Sequence, residues 1–392
     1  MDFPVGASVE VQELEASPYR VLMALRRAEP VSWVPAISTW LITGRNEAVQ
    51  AMNDAERFTV NDPRFTTALV LGDSMLNLEG AEHARHRGAF SEFFRPTAVR
   101  EGFDRWLAAE SQRLIEPFLR SGEIELRTEL AGPLAVNTIT RFLGLEEVDS
   151  AAVLSWYQDI SDAIVGLSLG REVAEAGRSA VDMIRERVQS TLTLGDHDSL
   201  IRTIQARGQL THEELAPAVA VVMFGAIETS EGMTANVFWH LLNNPATLER
   251  VAADRALVAS AVEESLRLEP AAAVVDRYTT TDLTIGGVTI PEGDPVSISL
   301  LAANRDPSVF ADPDIYEIDR PNLRQHLSFV QGPHRCIGEH LARAETAAAL
   351  NGVLDLASDL CLISGRSSPP SGLVFRKPAA VAARLTPRDS AG

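Results

Sequence analysis

The ten residues from Phe329 to Gly338 bring one cysteine together with a histidine, an arginine and two glycines. Cys336 comes just before an alanine-rich run, Glu339 to Leu354, that is predicted to be helical. Near a helix N-terminus, unpaired N–H groups and the positive end of the helix dipole favour a thiolate over a thiol. A thiolate is a strong ligand for a soft or borderline metal. Gly332 and Gly338 also suit a tight turn and a close approach of the backbone to a flat ligand.

The surroundings of Cys336 indicate haem iron rather than zinc as the metal. No second cysteine or histidine lies at the spacing of a zinc cage, and the setting is apolar. Cys361 is the one other cysteine, so the sequence has no disulfide framework. An isolated buried cysteine is more often a small, inert apolar residue, and the motif around Cys336 therefore carries the interpretation.

This decapeptide resembles the haem-binding loop of the cytochrome P-450 family, whose pattern is Phe-Gly-x-Gly-x-His/Arg-x-Cys-x-Gly. The matching positions are Phe329, Gly332, His334, Cys336 and Gly338. Val330 replaces the usual glycine. The resemblance implies one haem b per chain, with Cys336 as the metal ligand and Phe329, His334 and Gly338 in contact with the cofactor.

A second motif supplies groups for the haem carboxylates. His83 and Arg87 are four positions apart, so on a helix they share one face. Arginine is suited to bidentate contact with a carboxylate. Without the cysteine loop, a solvated basic helix face would be the better interpretation. The resemblance implies that His83, Arg87 and Arg277 contact haem propionates.

A long apolar helix is predicted from Thr211 to about Asn243. Thr211 and Glu214 form a capping box, and the residues from Ala218 to Ile227 are apolar on all sides, which indicates a buried helix. Two polar residues, Glu228 and Thr229, follow. Burying them costs several kcal/mol unless they are hydrogen-bonded or needed for function.

The stretch Gly225 to Thr229 resembles the family pattern Ala/Gly-Gly-x-Asp/Glu-Thr, with Ala226 in place of the second glycine. The resemblance implies that Ala226 lies beside the haem and that Thr229 holds dioxygen and a water molecule. It also implies that Glu228 feeds protons inward as a general-acid relay. The alternative is a polar seam between packed helices.

Glu264 and Arg267, three positions apart, form an ion pair on a predicted helix. The family places such a pair in the interior, where it joins an arginine from the segment before the cysteine loop. Arg320 matches that third member. We interpret the triad as a structural clamp on the haem loop, not as a catalytic group.

Composition sets the class of protein. The 392 residues include 35 basic and 54 acidic side chains, which give a net charge of −19 and argue against general nucleic-acid binding. The N-terminal stretch shows neither a signal peptide nor a membrane anchor. We expect a cytoplasmic protein with no membrane association.

The predicted fold class is mainly α with small β-sheets. Helices are predicted over 19–28, 45–53, 130–143, over a pair within 150–190, and over 211–243. The β-rich parts lie near 31–43, 271–301 and 371–386, the last as a terminal hairpin. The resemblance covers about residues 20–386 and implies a single domain over 1–392. It also implies a triangular helix-rich prism with haem between the long helix and the helix after the cysteine loop.

Apolar residues from several segments are expected to form the substrate pocket. One group, Val70 and Leu71, lies within a compact connector between Phe58 and Met75, which is interpreted either as an ordinary surface loop or as a short lid over the pocket. The candidates for the pocket are Val70, Leu71, Ala226, Val274, Val275 and Leu373. Their chemistry favours a lipophilic small molecule, such as a natural-product intermediate.

These features and the resemblance indicate a haem-thiolate monooxygenase that uses dioxygen, and the resemblance implies that electrons from NAD(P)H reach it through a ferredoxin and its reductase. The partners are expected to dock on the face behind Cys336, where Arg335, His340 and Arg343 offer positive charge. A peroxide-driven oxygenase and a non-catalytic haem-binding protein remain alternatives. A cysteine hydrolase is a distant one, because no third group orients His334.

Overall fold

The computed structural model describes residues 2–145, 149–168, 170–194 and 199–388. Helices dominate these residues. They are α1 (Pro4–Ala7), α2 (Val11–Ala16), α3 (Tyr19–Ala28), α4 (Arg45–Asn53), α5 (Thr66–Leu71), α6 (Gly80–Ser91), α7 (Pro96–Ile115), α8 (Gly132–Leu143), α9 (Ser150–Ser168), α10 (Glu175–Leu194), α11 (Leu200–Arg207), α12 (His212–Leu242), α13 (Pro245–Ala253), α14 (Val258–Leu268), α15 (Leu300–Ala303) and α16 (Glu339–Leu356). A π-helical segment, Leu126–Ala131, leads into α8.

The strands are short, and most of them lie in or near the three expected β-rich parts, whereas β3, β4 and β9 lie outside them. They are β1 (Val31–Val34), β2 (Thr39–Ile42), β3 (Phe58–Thr59), β4 (Glu123–Glu125), β5 (Val274–Thr279), β6 (Leu283–Ile285), β7 (Val288–Ile290), β8 (Pro295–Ser299), β9 (Ala357–Leu362), β10 (Pro370–Ser371), β11 (Lys377–Pro378) and β12 (Ala382–Pro387). The largest sheet has the order β1-β2-β8-β5-β3. The mainly α class with small sheets is confirmed.

Helix α12 runs through the centre of the fold. Its N-terminus carries the predicted capping box, because the Thr211 hydroxyl accepts the Glu214 N–H and the Glu214 carboxylate accepts the Thr211 N–H. Pro217 is the sixth residue of the helix, where its ring removes the N–H that would donate to the Glu213 carbonyl. The helix is long and apolar enough to cross a membrane, but 72% of its most apolar window is buried inside the protein. Such burial is typical of a core helix.

The prediction of a terminal hairpin between 371–375 and 380–385 is wrong. Strand β12 pairs instead with β9 and β4, so that Ala383 stands opposite both Leu362 and Ile124. The residues before it form a separate two-stranded pair of β10 with β11. Ala383 and Leu385 are buried in β12. They therefore need the apolar face that β9 and β4 supply.

The predicted helix pair within 150–190 appears as α9 and α10, while residue 169 and the predicted turn at 195–198 lie outside the described residues. The connector after Phe58 contains a helix of its own, α5.

Candidate active site

A cavity of about 330 Å³ lies between α12, the start of α16 and the cysteine loop, which we define as residues 329–338. Its size falls within the range of about 300–1,000 Å³ that is usual for small-molecule sites. Cys336 lines this cavity, and so does Thr229 of α12. Most of the remaining wall is apolar. Two motifs more than a hundred residues apart in the chain therefore face the same space.

The cysteine loop folds back on itself and presents its sulfur to the cavity. The Cys336 N–H donates to the Phe329 carbonyl at 2.8 Å, and the Gly338 N–H donates to the Cys336 sulfur. Gly332 has a φ of +75°, and a Cβ there would lie 2.2 Å from the Met52 carbonyl oxygen. Glycine is therefore required at Gly332.

Val330 keeps the loop shape at a conformational cost. Its φ is +61°, which is a rare value for a β-branched residue. Its N–H nevertheless donates to the Leu327 carbonyl at 2.8 Å. The replacement of the usual glycine therefore changes the strain of the loop rather than its hydrogen bonding.

The expectation of a spontaneous thiolate at Cys336 is wrong for the free side chain. Burial raises the pKa of the Cys336 thiol, and this outweighs the lowering by the Gly338 N–H and by the charges of Arg87 and Arg343. Helix α16 begins only at Glu339, so Cys336 lies outside its first turn. Ligation of a metal ion would itself remove the proton, because a coordinating thiol is deprotonated.

Two arginines, Arg277 buried and Arg87 partly buried, face the cavity without a carboxylate in contact among the described residues. Arg87 of α6 and Arg277 of β5 both line it, and burial lowers the pKa of each guanidinium. Within the described residues no ion pair joins either of them to a carboxylate at contact distance; Arg277 donates to the Asp276 carbonyl at 2.7 Å. A buried cation without an anion is costly. These two side chains therefore call for a negatively charged ligand.

Two histidines extend this basic group. The rings of His83 and His334 lie 4.4 Å apart. His334 Nε2 is 2.9 Å from a Glu79 carboxylate oxygen, whereas His83 Nε2 is buried with no hydrogen-bond partner among the described residues. Burial, followed by the charge of His334, lowers the pKa of His83 to about 4. His83 is thus a neutral ring with one unused nitrogen.

On α12, Thr229 and Glu228 face different surroundings. Thr229 lines the cavity, and its hydroxyl donates to the Gly225 carbonyl at 2.5 Å. Gly225 and Ala226 line the cavity beside it. Glu228 does not line it, and its carboxylate lies 2.9 Å from the Lys377 ammonium instead. The structure thus brings Thr229 to the cavity but not Glu228.

The predicted triad is assembled in the interior. Arg267 contacts Glu264 through two nitrogens, at 2.7 and 2.8 Å, and both side chains are fully buried. Arg320 Nε lies 3.0 Å from the same carboxylate. Arg267 also donates to the carbonyls of Asn304 and Pro313 at 3.1 and 2.7 Å. The triad therefore joins α14 to the segment that leads into the cysteine loop.

The prediction of Val70 and Leu71 as pocket residues is wrong. Both lie at the end of α5 and are buried in the apolar core. Phe65, Thr66 and Thr67, at the start of the same helix, line the cavity instead. The sequence analysis predicted the correct segment. Within it, residues at the start of α5 face the cavity and residues at its end face the core.

Leu373 is likewise not in the cavity wall, and Val374 and Phe375 take that place. Leu373 packs instead against the core near the N-terminal helices. Val274 and Val275 line the cavity as expected.

The face behind Cys336 carries less free positive charge than expected. The side chain of Arg335 is 57% exposed, but it pairs with Glu339 at 2.9 Å. Arg343 is paired with Glu339 at 2.9 Å and with Glu263 at 2.5 Å. His340 is exposed. The two arginines are therefore partly neutralised by their own neighbours.

A family model described as "Cytochrome P450" matches residues 167–356. Cyclomarin C epoxidase CymV of Salinispora arenicola is 30% identical over 354 residues, which cover 86% of this chain and 88% of that protein. This chain belongs to the cytochrome P450 family.

Other cytochromes P450 resemble the chain over nearly its full length. Pulcherriminic acid synthase of Bacillus subtilis is 26% identical over 390 residues, covering 95% of this chain and 96% of that protein. The solved structure of the cytochrome P450 enzyme CxnD, for C–S bond formation in chuangxinmycin biosynthesis, is 27% identical with a TM-score of 0.88. It covers 97% of this chain and 98% of CxnD. The chain is thus an oxidoreductase with the cytochrome P450 fold.

The family implies a haem cofactor, and the residues present fit one. A partly buried cysteine, two guanidiniums with no carboxylate in contact among the described residues and a buried histidine nitrogen without a hydrogen-bond partner all belong to one site. An anionic, iron-bearing ligand would satisfy each of them. The His83 nitrogen and the Arg277 charge would otherwise remain buried at a cost of several kcal/mol.

Two residues, one in the cavity wall and one beside Glu228, were missed by the sequence analysis. Glu345 of α16 lines the cavity with one carboxylate oxygen unpartnered among the described residues, and burial raises the pKa of this group to about 8. Nothing in its helical context distinguishes it from a surface glutamate. Lys377 pairs with Glu228, and it is the only lysine of the sequence. The sequence analysis did not consider that the sequence contains a single lysine, although this fact could have drawn attention to Lys377.

Proposed function

We propose that this cytochrome P450 is a haem b monooxygenase that inserts one atom of dioxygen into a lipophilic small molecule. Two electrons and two protons reduce the other oxygen atom to water. The observation that carries the proposal is that Cys336 and Thr229 line the same cavity between apolar walls. The ligand of the haem iron and a hydroxyl that takes part in the oxygen chemistry would then face the same cavity.

Three groups of residues would hold the haem: an iron ligand, residues that bind the propionates, and residues that contact the macrocycle. Cys336 would ligate the iron, and a thiolate ligand pushes electron density toward the iron and favours O–O cleavage. His83, Arg87, Arg277 and His334 would bind the propionates, with Arg87 and Arg277 supplying the charge. Phe329, Gly338 and Ala226 would contact the macrocycle. The clamp of Glu264 with Arg267 and Arg320 would hold the cysteine loop in place.

Thr229 and Glu228 would manage protons on the substrate side. The Thr229 hydroxyl, which donates to the Gly225 carbonyl, is fixed at the cavity wall and keeps its lone pairs to accept a hydrogen bond from a water molecule. Glu228 would supply protons to it as a general acid. Burial raises the pKa of Glu228, whereas the nearby ammonium of Lys377 acts to lower it.

The cavity walls favour a lipophilic substrate. Phe224 and Phe375 face it as an edge-to-face pair with ring centroids 5.7 Å apart, and Val274 and Val275 contribute aliphatic surface. The Thr67 hydroxyl is one of few uncharged polar groups in the wall. The relatives named for cyclomarin C, pulcherriminic acid and chuangxinmycin support a natural-product intermediate.

Electrons would reach the haem from NAD(P)H through a ferredoxin and its reductase. Arg335 and His340 are the exposed basic groups near the cysteine loop and would form part of the docking face. Arg343, which is tied to Glu263, would stabilise that face from within.

The test is oxygen-isotope incorporation by the purified holoenzyme. With a ferredoxin, its reductase and NADPH under ¹⁸O₂, a substrate that shifts the haem Soret band is expected to gain one ¹⁸O atom. Replacing Thr229 by Ala is expected to divert electrons to hydrogen peroxide. Product formation with added peroxide but not with NADPH would instead establish a peroxide-driven oxygenase. The absence of product with either oxidant, across compounds that shift the band, would establish a haem-binding protein without turnover.

A further inference from the structure

Lys377, the only lysine in the sequence, stands between two buried carboxylates of α12. Its Nζ lies 2.9 Å from Glu228 Oε1 and 2.6 Å from Glu231 Oε2. The lysine side chain is 15% exposed and each carboxylate side chain 6%. All other basic side chains that carry a fixed charge are arginines. The single lysine ammonium of the sequence is therefore shared by two glutamates.

The four charges around Lys377 balance. Glu228 and Glu231 are one helical turn apart, so without a cation they would repel each other in a poorly solvated place. Arg127, on the π-helical segment before α8, contacts Glu231 Oε1 at 2.7 Å and donates to the Ala379 carbonyl at 2.7 Å. Two cations thus neutralise two carboxylates along a line from Glu228 toward the partly exposed Arg127.

The other groups around Glu228 are uncharged. The Ser161 hydroxyl of α9 lies 3.5 Å from Glu228 Oε2. The ring of Tyr157 lies 5.9 Å from the lysine nitrogen. Lys377 is therefore the one cation in direct contact with Glu228 among the described residues.

Glu228 must leave Lys377 before it reaches the cavity. Thr229 lines the cavity while Glu228 does not, because the lysine holds the carboxylate away from it. Lys377 has a second acceptor, Glu231, at the shorter of its two distances. The ammonium can thus give up Glu228 and still be paired.

We propose that Lys377 is a positioning residue that acts as a latch on the proton supply, holding Glu228 when it pairs with both carboxylates and releasing it when it pairs with Glu231 alone. The latch rests on the proposed function. Released Glu228 takes a proton from solvent, becomes neutral, loses its attraction to the ammonium and carries the proton to the Thr229 side. Burial, which raises the pKa of Glu228, drives this protonation.

The identity of the cation follows from this role. An ammonium is a compact charge on a flexible stem with three rotatable donors. It can therefore exchange one carboxylate oxygen for another with a small movement. A guanidinium is a planar fork that grips one carboxylate with two parallel hydrogen bonds. An arginine at this position would supply the same charge but would hold Glu228 more firmly.

The first test uses the fact that lysine-specific labelling marks one residue. In the diamagnetic ferrous–carbonyl holoenzyme with ¹⁵N-lysine, a single Nζ signal is expected, and its chemical shift should titrate with the ionisation of Glu228. The inflection should vanish in Glu228→Gln. In Glu231→Gln it should move to lower pH, because the repulsion from the second carboxylate is gone. A pH-independent Nζ shift, or an inflection that survives in Glu228→Gln, would overturn the latch.

The second test compares Lys377→Arg and Lys377→Gln with the control Arg185→Gln, which removes an exposed cation of α10 that is paired with Asp182. Lys377→Arg is expected to lower kcat per haem about tenfold, part of the roughly 10²–10⁴-fold that a positioned proton donor contributes. The solvent deuterium isotope effect and the peroxide yield should rise while substrate Kd stays the same.

A purely structural role would give a different pattern. It would reduce the amount of haem-loaded protein but leave the isotope effect per haem unchanged, and that result, or wild-type kinetics in both lysine variants, would contradict the latch. If the wild-type enzyme shows no NADPH-driven turnover, the proposed function fails, and the Nζ titration still decides the latch on its own.

Discussion

Two largely buried ionic groups of this protein are built differently. The clamp consists of Glu264 with Arg267 and Arg320, and its central pair has two contacts, at 2.7 and 2.8 Å, and no exposure. The latch consists of Lys377 between Glu228 and Glu231, each of which it touches with a single nitrogen.

The contrast shows how the choice of cation separates fixed parts of a site from movable ones. In the clamp, guanidinium groups use several donors at once, including bonds from Arg267 to the backbone carbonyls of Asn304 and Pro313. Each hydrogen bond that these guanidinium groups donate opposes movement of the arginine side chain. In the latch, one ammonium with three rotatable donors is shared by two carboxylates and meets one oxygen of each. We therefore expect clamp variants to lose stability and latch variants to lose function.

The largest effect is expected from breaking the clamp. Arg267→Ala leaves Glu264 as a buried carboxylate with fewer partners, which costs about 3–5 kcal/mol of the free energy of unfolding. Denaturant unfolding of the variant, together with its haem content after purification, measures the loss.

The matched control is Arg250→Ala, which breaks an exposed pair with Asp319. An exposed pair contributes about 1 kcal/mol or less. Equal losses in the two variants would contradict the account of the clamp as a rigid anchor.

A smaller effect is expected from Glu345, a buried carboxyl group with no cation beside it. Burial raises its pKa to about 8, so the folded state keeps a proton that the unfolded state releases above about pH 4.3. Stability from this group is complete below that pH and is lost as the pH rises toward 8. Relative to Glu345→Gln, the wild type should therefore lose about 3 kcal/mol between pH 5 and 8.

Urea unfolding of both proteins at the two pH values provides the measurement. Parallel pH dependence in the wild type and in Glu345→Gln would mean that this carboxyl group titrates normally in the fold. Other groups in the fold would then have to stabilise the ionised form of Glu345.

The latch is expected to contribute less to stability than the clamp. Lys377→Gln should cost about 1–2 kcal/mol at most, because the buried Glu228 can become neutral by taking up a proton. Its pKa is already raised by burial, and loss of the ammonium raises it further. The stability lost relative to wild type should therefore grow as the pH rises.

Thermal or denaturant unfolding of Lys377→Gln at acidic and alkaline pH checks this direction. A loss as large as that of Arg267→Ala, or one that shrinks as the pH rises, would show that Lys377 is a second clamp.

The smallest effect is expected at Val330, whose strained φ of +61° is imposed by the clamped loop. Val330→Gly should change the free energy of unfolding by less than about 1 kcal/mol. Relief of the left-handed conformation is offset by the greater backbone entropy of unfolded glycine and by lost packing. Val330→Ala, which loses packing but keeps a side chain at positive φ, should be the less stable of the two. The reverse order in unfolding experiments would mean that the loop is not held in its shape from outside.

Much of the fold could be read from the sequence because local signals coincide with it. The capping box of Thr211 and Glu214 and the triad of Glu264, Arg267 and Arg320 were all in place. The pocket wall was less predictable, since it depends on which residues of a short helix point inward; Val70 and Leu71 turned into the core. The partner of Glu228 was unpredictable by spacing, because Lys377 is 149 positions further along and reaches it only through tertiary packing.

The central claim, that the Cys336 sulfur ligates haem iron, is tested most directly by the ferrous–carbonyl absorption spectrum of haem-supplemented protein. The account predicts the strongly red-shifted Soret band typical of thiolate coordination in the wild type and its loss in Cys336→Ser. A wild-type Soret band at the position of histidine-ligated haem proteins, or a protein that takes up no haem, would contradict it.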